Sequence, residues 1–260
     1  MVNSNVSNFY KKYPNYKFIF HLNAFHIFKT KEIFNIIPHQ KVKVVHLYDD
    51  SIGRSLWDTE SYENYAISSL EYNTYFHAGY YDSKILPIDK KRIISLDFLK
   101  SALELSKKKR MKLAKMAGLD LKKMKIIFKN GPIAVFLDDP NLTSEIAEDF
   151  IKKLIQKKSD IKNYTWIYKN HPRVSERSLV FDILSKYFKN VIEIHNAVPL
   201  ETLILVGLSP DYIAGYGSSV FYSFKKNQIL GYIQRKELEN YKQPLLDLGI
   251  ITPDIIFNPY

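Results

Sequence analysis

The sequence predicts an α/β protein of two doubly wound domains, each a parallel sheet wrapped by helices. Three observations carry that expectation. Short β-rich runs alternate with helical patterns, several strands are apolar at nearly every position, and the alternation restarts after a basic helical stretch in mid-chain. A strand without a polar face belongs in a parallel sheet covered on both sides, because it has no solvent side. With 260 residues, 46% of them hydrophobic and 25% charged, the chain can bury one large core or two smaller ones.

The elements follow in order. Residues 16–22 read as a strand, 25–37 as a helix and 42–48 as a second strand, the grammar of a parallel unit. Residues 89–125 turn helical and strongly basic, with Lys107, Lys108, Lys109, Arg110, Lys112 and Lys115 clustered ahead of Gly118. The domain boundary is expected at the end of this stretch, giving an N-terminal domain 1–125 that ends in a basic linker and a C-terminal domain 126–260. Beyond it, 133–137 reads as a strand, 144–157 as a helix opened by Thr143 or Ser144, and 164–169 as a strand. A helix over 175–188, a strand over 191–194, a short helix over 200–208 and a strand over 212–216 complete the pattern.

Composition narrows the chemistry. There is no cysteine, so disulfides, thiolate nucleophiles and cysteine-ligated metals are excluded and any site must use oxygen and nitrogen side chains. No apolar run reaches the roughly 20 residues that span a bilayer. The 38 basic residues outweigh 27 acidic ones, for a formal charge of +11, which favours anionic partners. Only six of the basic residues are arginine, and lysine lacks the planar fork that reads guanine, so specific nucleic-acid recognition is not expected. The basic stretch 107–125 has two readings, a solvated helix face or a surface drawn to anionic lipid.

Ligands of doubly wound sheets sit beyond the carboxyl ends of the strands, so residues there are inspected first. Asp49 and Asp50 follow an apolar strand directly; one of two adjacent carboxylates has its pKa raised toward a useful range for a base, or the pair simply makes a polar turn. The run Trp166-Ile167-Tyr168-Lys169-Asn170-His171-Pro172-Arg173 ends a strand in cationic and protonatable groups, and Pro172 restricts the backbone of His171. In Ala214-Gly215-Tyr216-Gly217-Ser218-Ser219-Val220-Phe221 a strand meets a glycine turn and two hydroxyls where a helix is expected to start, an anion site or a plain N-cap. Glu201 opens a helix and either accepts from ribose hydroxyls or only favours the helix terminus. The chain has no Gly-x-Gly-x-x-Gly and no Gly-Lys-Ser/Thr loop.

Taken in order, Tyr48-Asp49-Asp50, Lys169-Asn170-His171-Pro172-Arg173, Pro199-Leu200-Glu201-Thr202-Leu203 and Gly207-Leu208-Ser209-Pro210-Asp211 running on to Gly217-Ser218-Ser219-Val220-Phe221-Tyr222-Ser223 resemble bacterial sialyltransferases. The type is that of Pasteurella and Photobacterium, glycosyltransferase family eighty, and the likeness covers residues 15–255. The resemblance implies two Rossmann-like domains in the GT-B arrangement and inverting transfer of sialic acid from CMP-sialic acid to a sugar hydroxyl, with no cofactor and no metal. Asp49 would be the general base, with Asp50 the alternate. His171 would stabilise or protonate the departing phosphate, Ser218 and Ser219 would hold its oxygens, Glu201 would bind ribose, and Lys169 and Pro172 would line the CMP pocket. The acceptor would be a galactose-terminated glycan or lipooligosaccharide. The expected location is the cytoplasm, with peripheral contact at the inner face of the membrane.

Two departures from the family pattern are visible. Ser51 stands where the acidic motif has glycine, and the sequence begins almost inside the first domain, for which the expectations are a truncated form, a compact natural variant, or a chain completed by a homo-oligomer that covers an open strand edge. The alternatives are an enzyme of the same architecture using another nucleotide sugar, a catalytically inactive nucleotide-sugar or glycan binder, and a nonspecific nucleic-acid protein. The last draws on the +11 charge and 14% aromatic residues, most of which fall inside predicted core elements.

Overall fold

The structure is a computed structural model that describes residues 8, 11–23, 39–48, 69, 72–78, 88–95, 98–171, 178–195, 197–234 and 242–260. The chain falls into two compact units, Met1–Asp97 and Phe98–Tyr260. The expected helix 25–37 lies outside the described residues.

In the first unit, β1 (Phe18–Asn23), β2 (Val42–Tyr48), β3 (Thr74–Ala78) and β4 (Ile93–Ser95) form a sheet in the order β1-β2-β3-β4, parallel throughout. Alternate residues separate to the two faces, as the two-residue strand period demands. Val45, Leu47, Phe76 and Ala78 are buried together with Ile88. The opposite face carries His21, His46, His77 and Tyr48, whose rings meet across neighbouring strands, His46 and His77 tilted and the other pairs stacked. β1 and β2 match the expected strands to within two residues. β4 lies in a stretch expected to be helical; its three residues are too few to show a period.

The second unit opens with α1 (Phe98–Leu103), α2 (Lys107–Met116) and α3 (Leu121–Ile127). Then follow β5 (Ile133–Leu137), α4 (Ser144–Lys157), β6 (Thr165–Lys169), α5 (Leu179–Tyr187), β7 (Asn190–Ile194), α6 (Glu201–Leu205) and β8 (Tyr212–Tyr216). β9 (Ile229–Ile233), α7 (Gln243–Asp247) and β10 (Ile256–Phe257) end the unit. The sheet is parallel, in the order β10-β9-β8-β5-β6-β7. The first strand therefore lies in the middle, with its two sequels on one side and the last three strands on the other, which is the doubly wound order.

Both faces of this sheet are buried. Ile133, Val135 and Leu137 of β5 join one core cluster, while Ala134 and Phe136 join the other. The second cluster is closed by α4, whose Ala147, Phe150, Ile151 and Leu154 recur at helical spacing behind a Thr143 cap that accepts from the Ile146 N–H at 3.3 Å. The first cluster is closed by Ala114, Leu119, Met124 and Ile127 of the basic stretch together with Leu203 of α6. An Arg110 guanidinium N–H donates to the Leu205 carbonyl at 3.2 Å, tying α2 to α6.

That packing moves the boundary. The expected break at 125/126 falls inside the second unit, and the chain divides after Asp97, because 98–127 supplies one wall of the second core rather than a linker. Two helices are also shorter than expected. α5 begins behind Ser178, whose hydroxyl accepts from the Val180 N–H at 3.1 Å, and α6 ends at Leu205, two residues before Gly207 turns the chain at φ +80°. No helix among the described residues is long and apolar enough to cross a membrane.

Candidate active site

In the second sheet the connection after β5 runs to β6 on one side, while the connection after β8 runs to β9 on the other. Chains leaving adjacent strands in opposite directions open a crevice at their carboxyl ends. A cavity of about 320 Å³ lies there. It is lined by Leu137, Asp138 and Asp139 after β5, Lys169, Asn170 and His171 after β6, Pro199, Leu200 and Glu201 at the start of α6, and Tyr216 to Val220 after β8.

The β6 exit is shaped by Asn170. It is only 4% exposed, and its side-chain oxygen accepts from the His171 backbone N–H at 2.8 Å, which turns the chain and brings half-buried His171 to the cavity wall. Lys169 is buried beside it, and its ammonium donates to the Asn170 carbonyl at 2.8 Å. Burial pulls the Lys169 pKa down to about 8, with the Glu201 carboxylate acting against that shift. An anion in the cavity would favour the charged form of this lysine and oppose the effect of burial.

At the β8 exit, Gly217 N–H donates to the Ile233 carbonyl at 3.0 Å, and Ser218 stays extended. The hydroxyl of Ser218 accepts from the Val220 N–H at 3.3 Å, capping a five-residue 3-10 turn, Ser219–Ser223. The helix expected after the two serines is therefore this single short turn, which contributes little dipole. What the exit offers an anion is side-chain donors: a hydroxyl that accepts one bond keeps its own proton for another partner.

The cavity also holds a pair of carboxylates outside the sequence-derived set. Asp138 and Asp139 are buried at 6% and 7% exposure. Asp138 accepts from the Tyr168 hydroxyl at 2.5 Å and from the Asp139 N–H at 2.7 Å, and its own N–H donates to the Lys169 carbonyl at 3.0 Å. Burial raises the Asp138 pKa, while bonds from Tyr168, Ser178 and the Asp139 backbone hold it back. The Tyr168 hydroxyl is pushed well up by burial and by the Asp138 charge, so it remains a donor. Asp139 turns inward on its own loop, accepting from the Asn141 N–H at 3.0 Å and its side-chain amide at 3.1 Å. The sequence holds a signal for this pair: Phe136-Leu137-Asp138-Asp139 repeats the strand-then-two-aspartates pattern of Leu47-Tyr48-Asp49-Asp50.

Of the sequence-derived site residues, Lys169, His171, Glu201, Ser218 and Ser219 thus line one cavity. Asp49, Asp50 and Pro172 lie outside the described residues, as do Ser51 and Arg173. Among the described residues, no group of three His, Asp or Glu side chains is arranged to hold a metal ion.

The family model described as sialyltransferase PMO188 matches residues 148–245. That match spans the greater part of the second unit and none of the first. All five site residues gathered at the cavity fall inside the segment this family model matches.

Solved structures extend the likeness to the fold of the whole chain. An α/β-galactoside α-2,3-sialyltransferase from Photobacterium phosphoreum superposes with a TM-score of 0.72 at 17% identity, covering 98% of this chain and 82% of that one. A sialyltransferase from Photobacterium damsela gives 0.70 at 15% identity, covering 100% and 68%. The 2,6-sialyltransferase of Photobacterium sp. JT-ISH-224, solved with CMP and lactose, gives 0.68 at 14% identity, covering 99% and 65%. The fold is therefore the one these GT-B sialyltransferases have. No curated protein matches the chain significantly.

Proposed function

We propose that the protein is an inverting sialyltransferase that uses CMP-sialic acid as donor and a galactose-terminated surface glycan as acceptor. The observation that supports this most is the convergence of Lys169, His171, Glu201, Ser218 and Ser219 on one cavity of the segment that the sialyltransferase family model matches. The JT-ISH-224 enzyme, of the same fold, was captured with CMP and lactose, a nucleotide product and a galactose-ended sugar.

The chemistry divides naturally. Breaking the bond between the anomeric carbon and the phosphate oxygen builds positive charge on the sugar and negative charge on CMP, so donors belong at the phosphate and a base at the opposite face. In this reading His171 donates to the departing phosphate oxygen, Ser218 and Ser219 hold the remaining oxygens, and Lys169 supplies positive charge from the cavity floor. Glu201 accepts from the ribose hydroxyls and Pro172 packs against the base. The acceptor hydroxyl forms the new bond to the anomeric carbon and gives its proton to Asp49, with Asp50 as the alternate base; no metal takes part. The roles of Asp49, Asp50 and Pro172 rest on the family resemblance alone.

The test is transfer from CMP-sialic acid to lactose, followed by chromatography of the product. The wild-type chain forms sialyl-lactose, and His171→Ala lowers kcat by about 10²-fold or more, the scale of a lost proton donor. CMP binding by an intact chain without any product would instead make it a binder, and neither binding nor product would end the reading.

A further inference from the structure

The charge of this protein is concentrated. Residues 98–131 hold eleven of the 38 basic residues and only two of the 27 acidic ones, so this stretch carries nine of the eleven net positive charges. Of its two acids, Asp120 is occupied as the cap of α3, where its carboxylate accepts from the Lys122 and Lys123 N–H groups.

The apolar residues of the stretch are divided in an unusual way. α2 turns Ala114 inward, and at 100° per residue its opposite side carries Lys109, Lys112 and Met116, with Met116 73% exposed. α3 turns Met124 and Ile127 inward, and its opposite side carries Lys122 and Ile126, flanked by the exposed Lys123 and Lys125, with Ile126 64% exposed. Each helix thus sets one large apolar side chain at the centre of its solvent face, framed by lysines, and Leu113 adds a second on α2 at 40% exposure. A face evolved only for solubility needs the lysines and gains nothing from the apolar residue. Lysines around an exposed apolar centre match a surface with anionic charge outside and hydrocarbon beneath.

We propose that the outward faces of α2 and α3 dock on an anionic lipid surface, with lysines at the headgroups and Met116, Leu113 and Ile126 entering the interfacial layer. Neither helix presents an aromatic ring, so the stacking platform that single-stranded nucleic acid needs is missing there. The proposal uses no residue of the cavity and stands independently of the reaction assigned to it.

The experiment is co-sedimentation of the full chain with vesicles at physiological ionic strength. The chain binds vesicles of equal parts phosphatidylcholine and phosphatidylglycerol and leaves pure phosphatidylcholine vesicles in the supernatant. Replacing the apolar centres, Met116→Ser and Ile126→Ser, weakens binding by about tenfold per residue although every lysine remains. Lys112→Glu and Lys123→Glu weaken it by about fivefold or more each. All four positions are exposed, and unchanged thermal unfolding confirms that the variants are folded. Three outcomes overturn the proposal: no binding to the anionic vesicles, binding indifferent to the loss of Met116 and Ile126, or release from the vesicles by a single-stranded oligonucleotide that occupies the same lysines.

Discussion

A Cβ atom built on Gly215 would stand 2.3 Å from the carbonyl oxygen of Leu137. The two residues are paired between β8 and β5, the strands whose carboxyl ends open the cavity, and Gly215 holds φ at +122°. No side chain fits that approach, and few residues other than glycine accept that backbone angle. The close contact sets where Tyr216, Gly217 and Ser218 leave the sheet.

Gly215→Ala is therefore expected to lower the stability of the second unit by about 2–3 kcal/mol, through overpacking and backbone strain together. Urea unfolding checks this. Loss below about 0.5 kcal/mol would mean that β8 slides without penalty, since substitutions that meet no structural feature stay within that range.

The buried pair Tyr168 and Asp138 supplies a second expectation. Tyr168→Phe deletes the hydroxyl that bonds the Asp138 carboxylate at 2.5 Å and leaves a buried oxygen short of a partner. The expected cost is about 1–3 kcal/mol. Asp138 joins β5 to the β6 exit through its bond to Lys169, so the same variant should also weaken CMP binding, read by calorimetry. A variant with full stability and full affinity would show that the network is idle.

Much of the second unit is legible in the amino-acid order alone. The strands 133–137 and 212–216 and the helix 144–157 match to the residue, because apolar runs between turn signals and a Thr143 cap are local signals. β9 is not legible in this way, although Ile229-Leu230-Gly231-Tyr232-Ile233 is almost wholly apolar. Glycine inside a strand weakens the pattern, and its reason is tertiary: a Cβ on Gly231 would meet the Phe150 ring of α4 at 2.8 Å. The domain boundary escapes for a related cause. Charge marks 98–127 as a solvated linker, but Ala114, Leu119, Met124 and Ile127 within it close the core. At the site, the strand-end rule finds His171 and the serines, whereas Asp138 and Asp139 hide in a turn whose chemistry depends on Tyr168 from the next strand.

Lys169 gives a pH signature. It titrates near 10.5 in an unfolded chain and near 8 when folded, because burial disfavours its charge. Between those values the unfolded chain binds more protons, so stability should rise as pH increases from about 8 to 10.5. A phosphate in the cavity favours the charged form, so CMP affinity should fall as pH passes 8. A calorimetric pH series compares wild type with Lys169→Gln. A falling profile in the wild type that flattens in the variant is expected; identical profiles would remove Lys169 from the site.

The first unit should be acid-sensitive for a different reason. Nδ1 of His46 and Nε2 of His77 lie 2.8 Å apart, so one ring donates to the other only while the pair is not doubly charged. Burial, and then the charges of His46 and His21, lower the His77 pKa from 6.5 to about 4; burial and His21 lower that of His46. As pH falls from 6.5 toward 4 the unfolded chain takes up protons that the folded unit resists, so stability falls. Hydrogen exchange in β2 and β3 should quicken over that range, and His77→Gln should suppress the change. Exchange rates that follow only the chemical pH dependence in both proteins would contradict it.

The most direct measurement is the thermal stability of the chain with CMP against the same concentration of UMP. At 100 times its dissociation constant CMP should add about 2.7 kcal/mol, UMP much less, and His171→Ala or the paired change Ser218→Ala with Ser219→Ala should abolish the difference. Equal stabilisation by both nucleotides, or a CMP effect untouched by those substitutions, would show that the cavity of the second sheet is not the nucleotide site.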